Sequence, residues 1–261
     1  MDRRAPVTPE RALTAALLGV PIGLALGLVG GGGSLLTVPL LIGVLGVPPK
    51  LATGASLMIV AANATGALGA HIRARRVQYR MAALIVLTGT LGTAAGTLVH
   101  ARLNERALTL AFAALMVLIA VNLLRGRTPE PPADAGAHVP RRKVLLAGTL
   151  VGLTTGVFGV GGGFVIIPAL LALGLGMRQA VPTSLLIIAL NSVLALGLRA
   201  LSGAAVPVGD AVPMGLGGLA GSALAARIAP RLGHAGLTRA FALLVLGLAG
   251  VLAWSARGDG A

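Results

Sequence analysis

Residues 27–41 read GLVGGGGSLLTVPLL, four consecutive glycines (Gly30, Gly31, Gly32 and Gly33) set between apolar runs suited to a bilayer. Glycine weakens a helix by about 1 kcal/mol per residue relative to alanine, so four in succession end one. The whole segment 12–45 is almost uninterrupted apolar sequence. As one helix it would measure about 51 Å, against roughly 30 Å of hydrocarbon. As two full crossings it is too short, because only Ser34 to Leu45 follow the break. A re-entrant hairpin fits: a helix enters, breaks at the glycines, and a half-helix starting near Ser34 returns. Non-helical backbone at membrane depth is tolerated only where protein or a watery cavity covers it. The break therefore predicts a helix N-terminus inside the membrane, whose unpaired N–H groups and partial positive charge favour an anion.

The composition sets the frame for that hairpin. Of 261 residues, 56% are hydrophobic and 11% charged, with a mean hydropathy of +0.93. A soluble domain would carry about a quarter charged residues. Apolar runs fall near residues 12–29, 52–70, 82–99, 106–124, 143–158, 181–200, 209–226 and 236–254. This pattern predicts an all-α polytopic membrane protein. Aromatic residues make up 2% and the runs are continuous, which argues against a transmembrane barrel with its alternation and aromatic girdles. The N-terminal run is longer than a typical signal-peptide core and is followed by further spans, so it reads as retained. The net charge of +14 maps mostly between the runs, in clusters at Arg73, Arg75, Arg76 and Arg80 and at Arg125, Arg127, Arg141, Arg142 and Lys143. That is a topology signature. With few aromatics and no soluble module, it does not read as a nucleic-acid surface. There are no cysteines, and His71, His100, His138 and His234 read as solvated or interfacial side chains at helix ends or in loops. Nothing in the pattern calls for a metal or a cofactor, and no nucleophile–base pair supports an enzyme.

The break recurs. Residues 152–171 read GLTTGVFGVGGGFVIIPALL. Shifted by about 129 positions, Gly27, Gly30, Gly32 and Gly33 fall on Gly156, Gly159, Gly161 and Gly162, and Pro39 on Pro168. The following segments, ATGASLMIVAAN (52–63) and AVPTSLLIIALN (180–191), pair Ser56 with Ser184 and Asn63 with Asn191. Gly92 and Gly96 resemble Gly217 and Gly221, small residues spaced to let helix backbones approach closely. The chain thus reads as a tandem duplication: a first membrane repeat over 12–124, a Pro-rich charged linker over 125–142, and a second repeat over 143–256. Each repeat holds about four helical segments and opens with a Gly-broken helix or re-entrant hairpin. A hairpin plus three crossings makes the repeats inverted, and loops 71–80, 125–143, 176–180 and 227–239 then share one side and most of the basic residues. A single crossing over 12–45 would make the repeats parallel, with a slightly greater charge asymmetry. Length and the transporter pattern of paired broken helices favour inversion. Either arrangement puts loops 71–80 and 125–143 in the cytoplasm.

Two half-helix N-termini, near Ser34 and Phe164, could share one small oxyanion. The candidate binding positions are Gly30, Gly31, Gly32, Gly33 and Ser34 in the first repeat and Gly161, Gly162 and Gly163 in the second. Ser34 and Thr37 could equally cap their helix. Gly163 offers only its main chain. Ser56 and Ser184 are matched and Thr183 adds a hydroxyl, although bonding back to a helix carbonyl is the plain alternative for all three. Asn63 and Asn191 carry more weight, because an amide in mid-span is costly without a partner and here it occurs twice at one repeat position. Arg199 reads as a snorkelling side chain and Asp210 as a helix N-terminal acid, with a gate pair between them as the alternative. The acidic residues Asp2, Glu10, Glu105, Glu130, Asp134, Asp210 and Asp259 all lie outside mid-span, so a carboxylate proton relay has no obvious residue.

The paired segments GLVGGGGSLLTVP (27–39) and GVFGVGGGFVIIP (156–168), with ATGASL (52–57) and AVPTSL (180–185) after them, resemble the TauE/SafE family of sulfite exporters and related permeases. The likeness spans about residues 15–255. It implies export of sulfite or another small sulfur anion across the inner membrane, with transport of an organic carboxylate or sulfonate as the alternative. A non-transporting membrane partner subunit is the reading from a different class. The partners expected are a small anionic substrate and the lipid bilayer.

Overall fold

The computed structural model describes residues 8–29, 33–73, 77–125, 141–203, 208–228 and 234–258. Gly30 to Gly32, residues 74–76, the linker 126–140 with His138, and residues 204–207 and 229–233 lie outside the described residues, as do the side chains of His71 and His234. The described residues form ten α-helices and no strand: α1 Pro9–Val29, α2 Gly33–Gly43, α3 Pro49–Arg73, α4 Tyr79–Arg102, α5 Glu105–Leu124, α6 Arg141–Phe158, α7 Gly163–Ala172, α8 Met177–Leu201, α9 Val208–Ile228 and α10 His234–Gly258. Among them, five stretches are long and apolar enough to cross a membrane: Pro9–Leu28, Pro49–Gly69, Tyr79–Arg102, Glu105–Asn122 and Gln179–Leu201. The eight apolar runs of the sequence all become helices, but α6 and α9 fall short of that test. In α6, an 18-residue helix, Arg141, Arg142 and Lys143 occupy the first turn. In α9, five glycines and two charged residues dilute the apolar sequence.

Both breaks stand where the glycines predicted them. The first helix stops at Val29 and α2 starts at Gly33. The guanidinium of Arg11, near the start of α1, donates to the carbonyl of Leu45, just past α2, at 3.0 Å. Gly33 backs onto the carbonyl of Ile22 and the backbone of Leu26. The segment therefore turns back on itself, and both its ends lie at one end of the bundle. In the second break, Gly159, Gly161 and Gly162 have φ of +67°, +65° and +70°, the left-handed region that L side chains enter at a cost of roughly 1–2 kcal/mol.

Helix packing is exchanged between the halves. The first helix packs along α9, and α6 packs along α4, in both cases backbone to backbone. Gly19, Gly23 and Gly27 meet Met214, Gly218 and Ala225 in that order, so α1 and α9 run parallel. Gly89, Gly92 and Gly96 meet Gly148, Thr149 and Leu153 likewise. A Cβ on Gly92 would overlap the Thr149 carbonyl, and one on Gly23 the Gly218 carbonyl. Contact this close is the usual solution where lipid supplies no hydrophobic drive between helices. In the centre, α3 and α8 cross antiparallel: Thr53 meets Arg199 at one end, and the turn after α3 meets Thr183 at the other. Leu17, Leu87, Leu91, Leu98, Leu118 and Leu216 stand on the outside, each more than 59% exposed. In water such a surface would be an aggregation hazard, and in a bilayer it is the lipid face.

Candidate functional site

The second glycine break is pressed into the middle of the α3–α8 crossing. A Cβ on Gly161 would lie 2.7 Å from Ser192 Oγ, 2.9 Å from Ile188 Cγ2 and 3.0 Å from Val60 Cγ1. Val60 and Ile188 lie at the centres of their helices. Gly162 is the N-cap of α7, with no side-chain cap bond, so the first N–H groups of that half-helix stand uncapped beside the crossing. The other half-helix, α2, also touches α7 and α3. Its Gly33 and Ser34 are buried in the first turn, and Thr37 Oγ1 bonds back to the Gly33 carbonyl at 3.4 Å.

A polar stripe runs down each crossing helix. Ser56 and Asn63 on α3, and Ser184 and Asn191 on α8, are seven residues apart, two turns on one face. All four are fully buried. Both amide atoms of Asn63 and of Asn191 are buried without a hydrogen-bond partner among the described residues, as are the hydroxyls of Ser56 and Ser192. An unsatisfied buried polar group costs about 1–3 kcal/mol, so such groups call for an explanation. The Asn63 amide lies against Gly218 of α9, where any side chain would displace it.

Not every predicted position is open. Thr183 Oγ1 accepts the Gln78 N–H at 3.0 Å, tying α8 to the turn before α4. Ser184 Oγ donates to the Val181 carbonyl at 2.7 Å, the back-bonded alternative. Conversely, Ser192 escaped the sequence reading because its repeat partner is Ala64. Its place one residue after Asn191 was the only signal.

Three sequence expectations are corrected. Arg199 does not snorkel: it is 3% exposed and points inward, with Nη1 donating to Thr53 Oγ1 at 2.8 Å and Nη2 to the Gly156 carbonyl at 2.9 Å. His100 is buried rather than solvated. Its Nδ1 lies 2.8 Å from the Val157 carbonyl and its Nε2 3.0 Å from Arg199 Nη1. A carbonyl can only accept, so the network assigns the proton to Nδ1 and leaves Nε2 to accept from Arg199. The cause is the break itself. Ending α6 at Phe158 strands the carbonyls of its last turn, where the helix dipole is negative, and donors from α4 and α8 turn inward to meet them. Asp210 does not pair with Arg199 either. Its two oxygens take Arg11 Nε and Nη2 at 2.7 and 2.9 Å.

The model of the family described as "Sulfite exporter TauE/SafE" matches residues 15–252. The chain is 36% identical over 242 residues to a "Probable membrane transporter protein" of Xylella fastidiosa (strain 9a5c), covering 89% of this chain and 91% of that one. It is 27% identical over 200 residues to the "Probable membrane transporter protein YunE" of Bacillus subtilis (strain 168), covering 67% and 73%. No solved structure matches the chain.

Proposed function

We propose a function from one established premise, that the chain belongs to the TauE/SafE family of membrane transporters: it carries a small oxyanion, sulfite or a related sulfur anion, outward across the inner membrane. The observation that carries this reading is the pair of buried amides of Asn63 and Asn191, at matched places on two crossing helices and without a hydrogen-bond partner among the described residues, in the crossing into which the second glycine break is pressed. Amide N–H groups and uncapped helix N–H groups supply the donors an oxyanion needs where water is excluded. Gly30 to Gly33 and Ser34 would contribute the first half-helix end, Gly161 to Gly163 the second, and Ser184 and Thr183 would line the approach. Sulfur identity rests on the family description alone.

The repeats, 12–124 and 143–256 on either side of the 125–142 linker, are inverted. Support comes from α3 and α8, which match in sequence yet run antiparallel, and from the hairpin that brings Leu45 back to Arg11. Loops 71–80 and 125–143 are cytoplasmic, as their basic clusters favour. Alternating access is then a rocking of one repeat against the other around the α3–α8 crossing.

The test is uptake of labelled sulfite into proteoliposomes, with unlabelled sulfate, thiosulfate, acetate and taurine as competitors. Saturable, protein-dependent uptake blocked by sulfur oxyanions supports the assignment. Blocking by acetate or taurine instead would move it to an organic carboxylate or sulfonate. Flux equal to that of empty liposomes for every anion would end the carrier reading.

A further inference from the structure

We infer that Arg199 is the cation of an oxyanion subsite at one end of the α3–α8 crossing, one turn from the second glycine break. The inference rests on the oxyanion-carrier reading above and names a residue that reading does not use. Three of the five guanidinium N–H donors are accounted for, by Thr53 Oγ1, His100 Nε2 and the Gly156 carbonyl. Among the described residues the buried Nε–H has no partner, and one N–H of Nη2 is left over. Two free donors on one guanidinium are what a bidentate oxyanion contact takes. All three existing partners are neutral, and among the described residues no carboxylate bonds to Arg199. Arginine does not shed its proton. The α6 dipole offsets the charge of this buried guanidinium only in part, and an arriving anion would balance the rest.

A helix cap alone does not account for the arrangement. Thr53 and His100 grip Nη1 on the side away from Nε, and Thr53 is itself held by its bond to the Lys50 carbonyl at 2.8 Å. His100 is a positioning residue: Nδ1 anchors it to Val157 and Nε2 fixes the guanidinium. The ligand class is a compact oxyanion presenting two oxygens to Nε and Nη2.

The test uses the full-length chain in detergent, with its unfolding temperature followed against sodium sulfite and sodium sulfate at constant ionic strength. The wild type should show a saturable rise. Arg199→Gln keeps a donor for Gly156 but removes the charge, and should raise the half-saturating concentration at least tenfold, whereas Arg199→Lys should raise it only a few-fold. Thr53→Asp installs an internal carboxylate beside Nη1 and should abolish the rise while leaving the chain folded. If Arg199→Gln does not fold, Thr53→Asp and Arg199→Lys decide. A folded Thr53→Asp or Arg199→Gln protein with an undiminished anion response would overturn the inference while leaving the carrier reading intact. A wild type with neither anion-dependent stabilisation nor flux would overturn both.

Discussion

Replacing Asn191 by leucine separates a binding amide from a structural one. A structural amide holds its helix through hydrogen bonds, and losing them would leave buried partners unpaired at a cost of about 1–3 kcal/mol each. Asn191 is fully buried and, among the described residues, has no such partner at either Nδ2 or Oδ1. Leucine has the same number and branching of side-chain heavy atoms and no polar atom to desolvate. Asn191→Leu should therefore unfold at the wild-type denaturant midpoint or above it, by an amount corresponding to about 1–3 kcal/mol. Uptake of labelled sulfite by the same protein should fall at least tenfold, which corresponds to about 1.4 kcal/mol of lost stabilisation of the moving anion. Asn63→Leu should behave alike, with the added chance to pack against Gly218. Stability rising while function falls is the signature of a group kept for its ligand. A variant that transports at the wild-type rate, or one that loses stability and flux together, would refute the reasoning.

Gly161→Ala puts a Cβ at φ +65° against Ser192, Ile188 and Val60. It should cost roughly 1–2 kcal/mol of backbone strain and about 1–3 kcal/mol of overpacking, and abolish uptake. Gly247→Ala, with nothing within 4 Å, should leave uptake unchanged in the same assay. Asp210→Asn should loosen the clasp of Arg11, Asp210 and Leu45 by about 1 kcal/mol, because the pair is partly exposed and screened. Since the chain has no cysteine of its own, a Cys placed at buried Val47 should react faster with a polar maleimide in that variant. Gly92→Leu should prevent α4 and α6 from closing, seen as loss of a folded monodisperse protein, because its side chain would overlap the Thr149 carbonyl. Cysteines introduced near residue 8 and within 126–140 should be labelled from opposite sides of the membrane, and labelling from one side would remove the inverted arrangement.

Much of the architecture was written locally. Apolar runs at bilayer length, the glycine breaks and the repeated Ser and Asn positions can be read along one strand of text, because helix formation, helix breaking and burial periodicity depend on near neighbours. The two breaks fall at Val29 and Phe158 because glycine and length leave no other economical path. Those same cues located Asn63 and Asn191. They allowed the local back-bond of Ser184 to Val181 but could not show that Thr183 is already engaged, since its partner lies 105 residues away.

Partner choice over long distances belonged to the tertiary structure. The sequence alone placed Arg199 near a helix end and Asp210 at the next helix start, and the shortest path between them suggested a pair. Folding gives Asp210 to Arg11, 199 residues distant, because α1 runs parallel to α9 along a seam of bare glycine backbone. It gives Arg199 and His100 to the stranded carbonyls of α6. A broken helix creates that demand for donors, but which distant helices answer it depends on the exchange of α6 onto α4 and the crossing of α3 with α8. The sequence by itself determined that this is a helical membrane protein with two matched glycine breaks and a repeated buried amide. Only the packed structure decided where its buried charge points, because the orientation of a long cationic side chain is set by unsatisfied carbonyls that no local pattern reveals.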